Sequence, residues 1–229
     1  MNILMVGAGG NGSKLLVSLV RAQRALSLLG RAPLRVVLVD PDTVSEANLV
    51  RQAFLPADLG RPKAEVLVSR VNLAYGLNWE WRARAFRPAD LHGVQLVISA
   101  VDSRQARRAI AEAIGTSVLW WLDMGNDVRH GQVLLGRGTA QMPYPHERLP
   151  ELVEGEDDDR PSCSALEAVM RQDLLVNDMA AIWAAELAWQ VIKDGKPKYL
   201  GVFFDLERGT VRSIPTEVVC PTGAKTNSC

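Results

Sequence analysis

Cysteine is scarce in this 229-residue chain, with only Cys163, Cys220 and Cys229. An odd, widely spaced set builds no disulfide framework, which excludes the small stapled folds of secreted proteins. Net charge is also lacking, because 26 Lys plus Arg balance 26 Asp plus Glu. A general nucleic-acid binder or a membrane-surface protein would carry a basic excess, so no nucleic-acid or membrane partner is expected. No apolar run approaches the roughly 20 residues of a membrane span. Residues 1–6 run straight into a glycine-rich turn, without the apolar stretch of a secretion signal, and a soluble cytoplasmic protein is the expectation. What remains is ordinary globular composition, 48% hydrophobic and 23% charged, which excludes bulk disorder and coiled coil and suffices for one buried core.

The apolar pattern alternates between two periods. Strands are predicted over 2–6, 35–39, 95–101 and 118–124, the later ones as continuous apolar runs buried on both faces. Helical spacing runs over 12–29 (Leu15, Leu16, Leu19, Val20, Leu26), over 61–75 (Ala64, Leu67, Val68, Val71) and over 103–114. A further strand is predicted at 132–135 after a turn at 126–129, and strands at 199–205 and 210–214 read as a terminal hairpin. This rhythm predicts an α/β fold with a doubly wound, mostly parallel sheet and C-terminal antiparallel strands.

One stretch breaks the pattern. Residues 136–164 hold prolines at 143, 145, 150 and 161, and seven acidic residues fall within the thirteen of 147–159. Such a composition is not expected to pack a core, and it reads as a long mobile surface loop. It is either a tolerated insertion or a functional lid or crossover, and in the latter case its charge would draw a basic partner surface. Helical periodicity then returns over 164–192, with Leu166, Val169, Met170, Leu174, Ile182, Trp183 and Leu187 as expected core. The chain reads as a single domain over 1–229, with the acidic loop at about 137–164.

Chemistry concentrates after the predicted strands. Gly7-Ala8-Gly9-Gly10-Asn11-Gly12 follows the first strand and opens a helix, the arrangement in which a backbone turns tightly and a helix N-terminus meets a phosphate. Asp40 ends the second strand, where a carboxylate accepts hydrogen bonds from ribose hydroxyls. These features alone suit any Rossmann-like nucleotide domain, NAD enzymes included. The next block narrows the class: Asp40-Pro41-Asp42-Thr43-Val44 leads to Asn48-Leu49-Val50-Arg51-Gln52 and then Gly60-Arg61-Pro62-Lys63. Arg51 offers a planar fork and Lys63 a point charge, both suited to a triphosphate. Asp102, after the strand at 95–101, either holds Mg²⁺ or caps the following helix, a task Ser103 can take instead.

These four elements, in this order, resemble the ThiF/MoeB/ubiquitin-activating (E1-like) family, over residues 2–136 and more weakly beyond. Within it the chain is most similar to the short ThiF-like proteins of bacterial PRTRC gene systems, through Cys163-Ser-Ala-Leu-Glu and Gln172-Asp-Leu-Leu-Val-Asn177. The resemblance implies an adenylyltransferase using ATP and Mg²⁺. The C-terminal carboxylate of a ubiquitin-like (β-grasp) partner attacks the α-phosphate, giving an acyl-adenylate and pyrophosphate. It further implies a homodimer. Carried over by position, Gly7, Gly9, Gly10, Gly12, Asp40 and Asp42 belong to the nucleotide site. Asn48, Arg51, Gln52 and Lys63 grip ribose and phosphates, and Asp102 holds the metal.

Two departures stand out. Only six residues precede Gly7, so the N-terminal arm that carries an arginine into the neighbouring subunit in many relatives is expected to be missing. The paired Cys-x-x-Cys motifs that hold zinc in others are absent too, and His92, His130 and His146 share no ligand spacing with the cysteines, so no zinc is expected. Cys163, in Arg160-Pro-Ser-Cys-Ser, is the candidate thiol for accepting the activated acyl group, with Arg160 and a predicted helix start favouring its thiolate. Its alternative is a small helix-start residue. Three functions are therefore weighed: an adenylating enzyme, a nucleotide-binding scaffold without catalysis, and an NAD(P) oxidoreductase, the last disfavoured by Arg51, Lys63 and Asp102.

Overall fold

A computed structural model describes residues 1–50, 52–157 and 173–216. Strand β1 (Asn2–Val6) sits centrally, pairing in parallel with β2 (Arg35–Val39) on one side and β4 (Leu96–Ser99) on the other. Outside these, β3 (Glu80–Arg82) pairs with β2, and β5 (Trp120–Asn126) with β4, both in parallel. Strands β6 (His130–Gly136), β7 (Tyr199–Asp205) and β8 (Thr210–Pro215) then add antiparallel neighbours, giving the order 3-2-1-4-5-6-7-8. The doubly wound, mostly parallel architecture with antiparallel C-terminal strands is therefore the one read from the pattern.

Successive side chains of a strand point to opposite faces, and the two cores follow from that alternation. Ile3, Met5, Leu96, Ile98, Leu122 and Met124 face helices α1 (Gly10–Leu28) and α2 (Lys63–Tyr75). The C-terminal helix, Val176–Asp194, packs on α1 and joins the same core. Leu4, Val6, Val97 and Trp121 face the opposite side, under α3 (Arg104–Ile114) and Tyr144. Only two apolar residues of α3, Ile110 and Ile114, are fully buried, so that face carries the thinner layer.

The structure departs from the pattern in four places. Strand β3 was not expected; its three residues are mostly exposed and owe their extended form to pairing with β2. The third predicted parallel strand stops at Ser99, leaving 100–102 as a loop beyond the sheet edge. The segment expected to pack nothing buries Tyr144 and Leu152 in its described part, around the short helix α4 (Pro145–Arg148). Its charged and proline residues obscured these two anchors, which dock under the α3 face. Finally, in the C-terminal helix, hereafter α5, the expected core residue Ile182 is exposed, as is Leu174 just before it, whereas the polar Asn177 is buried. The residues 158–172 lie outside the description.

Candidate functional site

Strand β1 connects to β2 on one side while β4 returns to its other side, so the sheet changes winding direction between the carboxyl ends of β1 and β4. Open α/β sheets bind ligands at such a point. The glycine turn fills it. Gly7 has φ +100°, and a Cβ there would stand 2.5 Å from the Ala100 oxygen; one on Gly12 would stand 2.1 Å from the Gly7 oxygen. Any other residue at these two positions would push the turn off the sheet. Gly9 differs, since a Cβ there would meet nothing within 4 Å. It is the N-cap of α1 and supplies no side chain to its first N–H groups, the kind of helix start that suits an anion.

Asp40 fixes this turn. It is 5% exposed, its Oδ2 accepting from Ala8 N at 2.6 Å and its Oδ1 from Asp42 N at 2.8 Å. Burial is the largest influence on this carboxyl and raises its pKa from the ordinary value; the two amide bonds and the Lys63 charge oppose that. Each oxygen keeps a second lone pair. Pattern reasoning saw Asp40 only as a ribose acceptor, and the structure adds the role of tying β2 to the glycine turn.

Lys63 begins α2 and is 6% exposed, with Nζ 2.8 Å from Asp42 Oδ2. Its amide also donates to the Asp42 oxygen, and Thr43 bridges Pro62, so the chain after β2 and the start of α2 form one clasp. Asp42 is thereby the immediate counter-charge of the cation expected at a triphosphate. Asn48 Oδ1 accepts from Ser45 N and Ser45 Oγ at 2.9 and 3.0 Å, closing a small turn over Glu46–Asn48. Further along, Ala53 N donates to Ser13 Oγ at 3.1 Å, tying this segment to the first turns of α1. Gln52 lies between, its Oε1 buried without a hydrogen-bond partner among the described residues. Arg51 falls outside the described residues.

Ser103 takes the capping task posed at Asp102. Its hydroxyl accepts from Ala106 N at 3.1 Å and caps α3, so the exposed Asp102 carboxylate is left for other work. Among the described residues no three His, Cys, Asp or Glu side chains gather as a metal nest. One carboxylate still fits Mg²⁺, which commonly keeps waters and substrate phosphates as its remaining ligands. Beside it, Asp157 takes the first amides of α3: Oδ1 accepts from Arg104 N at 2.5 Å and Oδ2 from Gln105 N at 3.0 Å. Burial works against its ionisation, but these amides and the Arg104 and Arg107 charges outweigh it and hold the carboxyl below its usual range. Arg104 also donates to the carbonyls of Glu151 and Glu156, and Arg108 to those of Val153 and Gly155. The described end of the acidic segment is thus fastened along α3, with Glu151, Glu154 and Glu156 exposed.

Pattern reasoning missed a buried network that joins β4, β5 and α3. Asp123 on β5 is fully buried and accepts from Ser99 Oγ at 2.5 Å and from Arg107 Nε at 3.0 and 3.2 Å. Trp121 Nε1 donates to Ser99 Oγ at 2.7 Å, and Arg107 Nη2 donates to the Met124 oxygen at 3.1 Å. The signal was an aspartate inside the apolar run Trp120-Trp121-Leu122-Asp123-Met124, which demands a buried partner. Cys163, Cys220 and Cys229 lie outside the described residues, so the structure is silent on the expected thiol.

Fold and site together define a doubly wound α/β protein whose glycine turn lies at the sheet's switch point, tied to β2 by Asp40 and, through Asp42, to Lys63. The chain belongs to the ThiF family, whose pattern it matches over residues 1–220. It is 32% identical over 117 residues to the NEDD8-activating enzyme E1 catalytic subunit of Saccharomyces cerevisiae, a match covering 49% of this chain and 36% of that protein. A solved structure of E. coli MccB with ATP superposes with a TM-score of 0.66 at 17% identity, covering 96% of this chain and 65% of that one. PaaA superposes with a TM-score of 0.63 at 16% identity, covering 94% of this chain and 64% of that one. The chain thus spans less than two thirds of the length of each of these proteins. No helix among the described residues is long and apolar enough to cross a membrane.

Proposed function

We propose that this protein is an adenylyltransferase that binds MgATP at the carboxyl edge of its sheet and activates the C-terminal carboxylate of a ubiquitin-like, β-grasp partner. The observation that carries the reading is the uncapped start of α1, held in place by Asp40, whose neighbour Asp42 pairs with Lys63. Family membership supports the chemistry, the yeast relative supports a ubiquitin-like substrate, and the MccB structures, solved with ATP and with MccA, support nucleotide and peptide-type substrates on this fold.

In this reading the glycine-turn amides and the α1 dipole receive phosphate oxygens, and the free lone pairs of Asp40 receive the ribose. Asn48, Arg51, Gln52 and Lys63 grip ribose and phosphates, and Asp42 holds Lys63 in position. Asp102 holds Mg²⁺, which when bound supplies charge neutralisation at the phosphates. The partner's carboxylate oxygen bonds to the α-phosphorus, the bond to the bridging oxygen breaks, and pyrophosphate leaves with that electron pair. No protein base is needed, because the nucleophile is already ionised; positioning and charge neutralisation lower the barrier. Cys163 would then attack the acyl carbon as thiolate, releasing AMP and forming a thioester. A homodimer and the PRTRC affinity complete the reading, both from resemblance.

One observation favours a second reading, a nucleotide-binding scaffold without catalysis: the Lys63 charge is already met by Asp42 at 2.8 Å. Exchange of labelled pyrophosphate into ATP separates the two. Exchange dependent on a β-grasp partner is the result expected, and ATP binding without exchange, across the proteins encoded beside this one, would favour the scaffold. A thiol-labile adduct with the partner, lost in Cys163→Ser while exchange persists, tests the second step.

A further inference from the structure

Helices α1 and α5 begin side by side. Lys14 Nζ lies 2.7 Å from Asp178 Oδ2, pinning their first turns together. One residue earlier, Asn177 is 2% exposed and lies against the first residue of α1: a Cβ on Gly10 would stand 2.7 Å from Asn177 Cγ, Nδ2 and Oδ1 alike. A side chain at Gly10 would have to displace the Asn177 amide. This separates it from Gly7 and Gly12, which are glycines because backbone closes on them.

The Asn177 Nδ2 atom is buried and has no hydrogen-bond partner among the described residues. A buried donor left unmade is costly, and structures rarely tolerate one without a purpose. Were packing the only task at this position, an apolar side chain would serve it without that cost. The unmade group is a donor, and it stands at the one end of α1 where partial positive charge accumulates and an anion is favoured. Gly9, next in the turn, leaves that end open.

We propose that Asn177 is a nucleotide-binding residue of the glycine turn, its Nδ2 donating to a phosphate oxygen seated on the N-terminus of α1. The inference rests on the nucleotide reading above and deepens it. It assigns part of the phosphate cradle to α5, a helix that begins at Val176, far along the chain from the turn it completes. It also accounts for the polar residue found buried where α5 should be apolar. A donor to a charged acceptor forms a stronger bond than one to a neutral group, so a single amide here is worth an appreciable share of affinity.

The test is calorimetric titration of the full chain with MgATP, alongside thermal unfolding without nucleotide. Asn177→Ala should weaken binding about tenfold or more, which corresponds to ~1.4 kcal/mol. Its nucleotide-free unfolding midpoint should stay level or rise, because the donor made no bond to lose. Asn177→Asp keeps the outline but puts an anionic acceptor in place of the donor, and should bind more weakly than Asn177→Ala. Affinities are compared at a temperature where circular dichroism shows the variants folded; should the aspartate variant fail to fold, the alanine variant decides. A Kd within twofold of wild type in the folded variants overturns the proposal, all the more if the unfolding midpoint falls, since that marks a packing residue. Wild type that binds no MgATP overturns the nucleotide reading itself, a result distinct from wild type and variants binding alike.

Discussion

Arg107→Ala is expected to cost about 3–5 kcal/mol of folding stability, the range for removing one partner of a buried ion pair. Asp123 is fully buried, and three of the contacts around it would change. Both carboxylate oxygens lose Arg107 Nε, at 3.0 and 3.2 Å, and the Met124 carbonyl loses Nη2 at 3.1 Å. Only the Ser99 hydroxyl, at 2.5 Å, would still face the charge. For a chain of this length each kcal/mol moves the unfolding midpoint by about 2–4 °C, so a fall of about 6–20 °C should be seen. Urea unfolding at pH 7, followed by circular dichroism, gives the free energy directly. The paired replacement Arg107→Met with Asp123→Leu should recover most of the loss, because apolar groups of similar volume often replace a buried pair without cost. A single-variant cost below about 1 kcal/mol, or a paired variant as unstable as the single one, would refute the reasoning, since the penalty arises from the stranded charge.

Asp102→Ala should leave the unfolding midpoint unchanged, because Ser103 caps α3, while partner-dependent pyrophosphate exchange falls sharply; unaltered exchange would sink the metal assignment. Lys63→Ala should slow exchange by roughly 10²–10³, the scale of losing one preorganised charge stabiliser, and full turnover would end the phosphate-clamp reading. Asp90 should make stability depend on acid: hydrogen bonds from Arg84, then from the Arg87 amide and Arg82, outweigh burial and hold its carboxyl at about 2. Because that folded-state value lies below the unfolded one, about 2 kcal/mol of stability is present above pH 4 and is lost as pH falls toward 2. Asp90→Asn should therefore cost that amount at pH 7 and little at pH 2, and a pH-independent difference would contradict it. Asp157→Ala should release the segment from α3, seen as faster proteolytic cleavage between residues 150 and 157. Wild type should approach the same rate only below the ordinary carboxylate range, since its carboxyl is held under it.

Sequence alone determined the strand, glycine turn and helix that begin the chain, since a short apolar run, a φ of +100° at Gly7 and a 3.6-residue period are properties of neighbouring residues. It determined the parallel rhythm through β5 and placed Asp40 directly after β2, whereas Asp102, read as the end of a strand, lies in the loop that follows β4. Tertiary structure decided the rest. Strand β3 exists through hydrogen bonds lent by β2, and Tyr144 became core because Trp121 and α3 offered it a surface. Asp42 became the partner of Lys63, 21 residues on, and Asn177 came to rest on Gly10 across 167 residues of chain. Local conformation depends on bonds along the backbone and can be read from adjacent letters. Burial, charge pairing and unmade hydrogen bonds depend on which distant residues the fold sets within a few ångströms of one another.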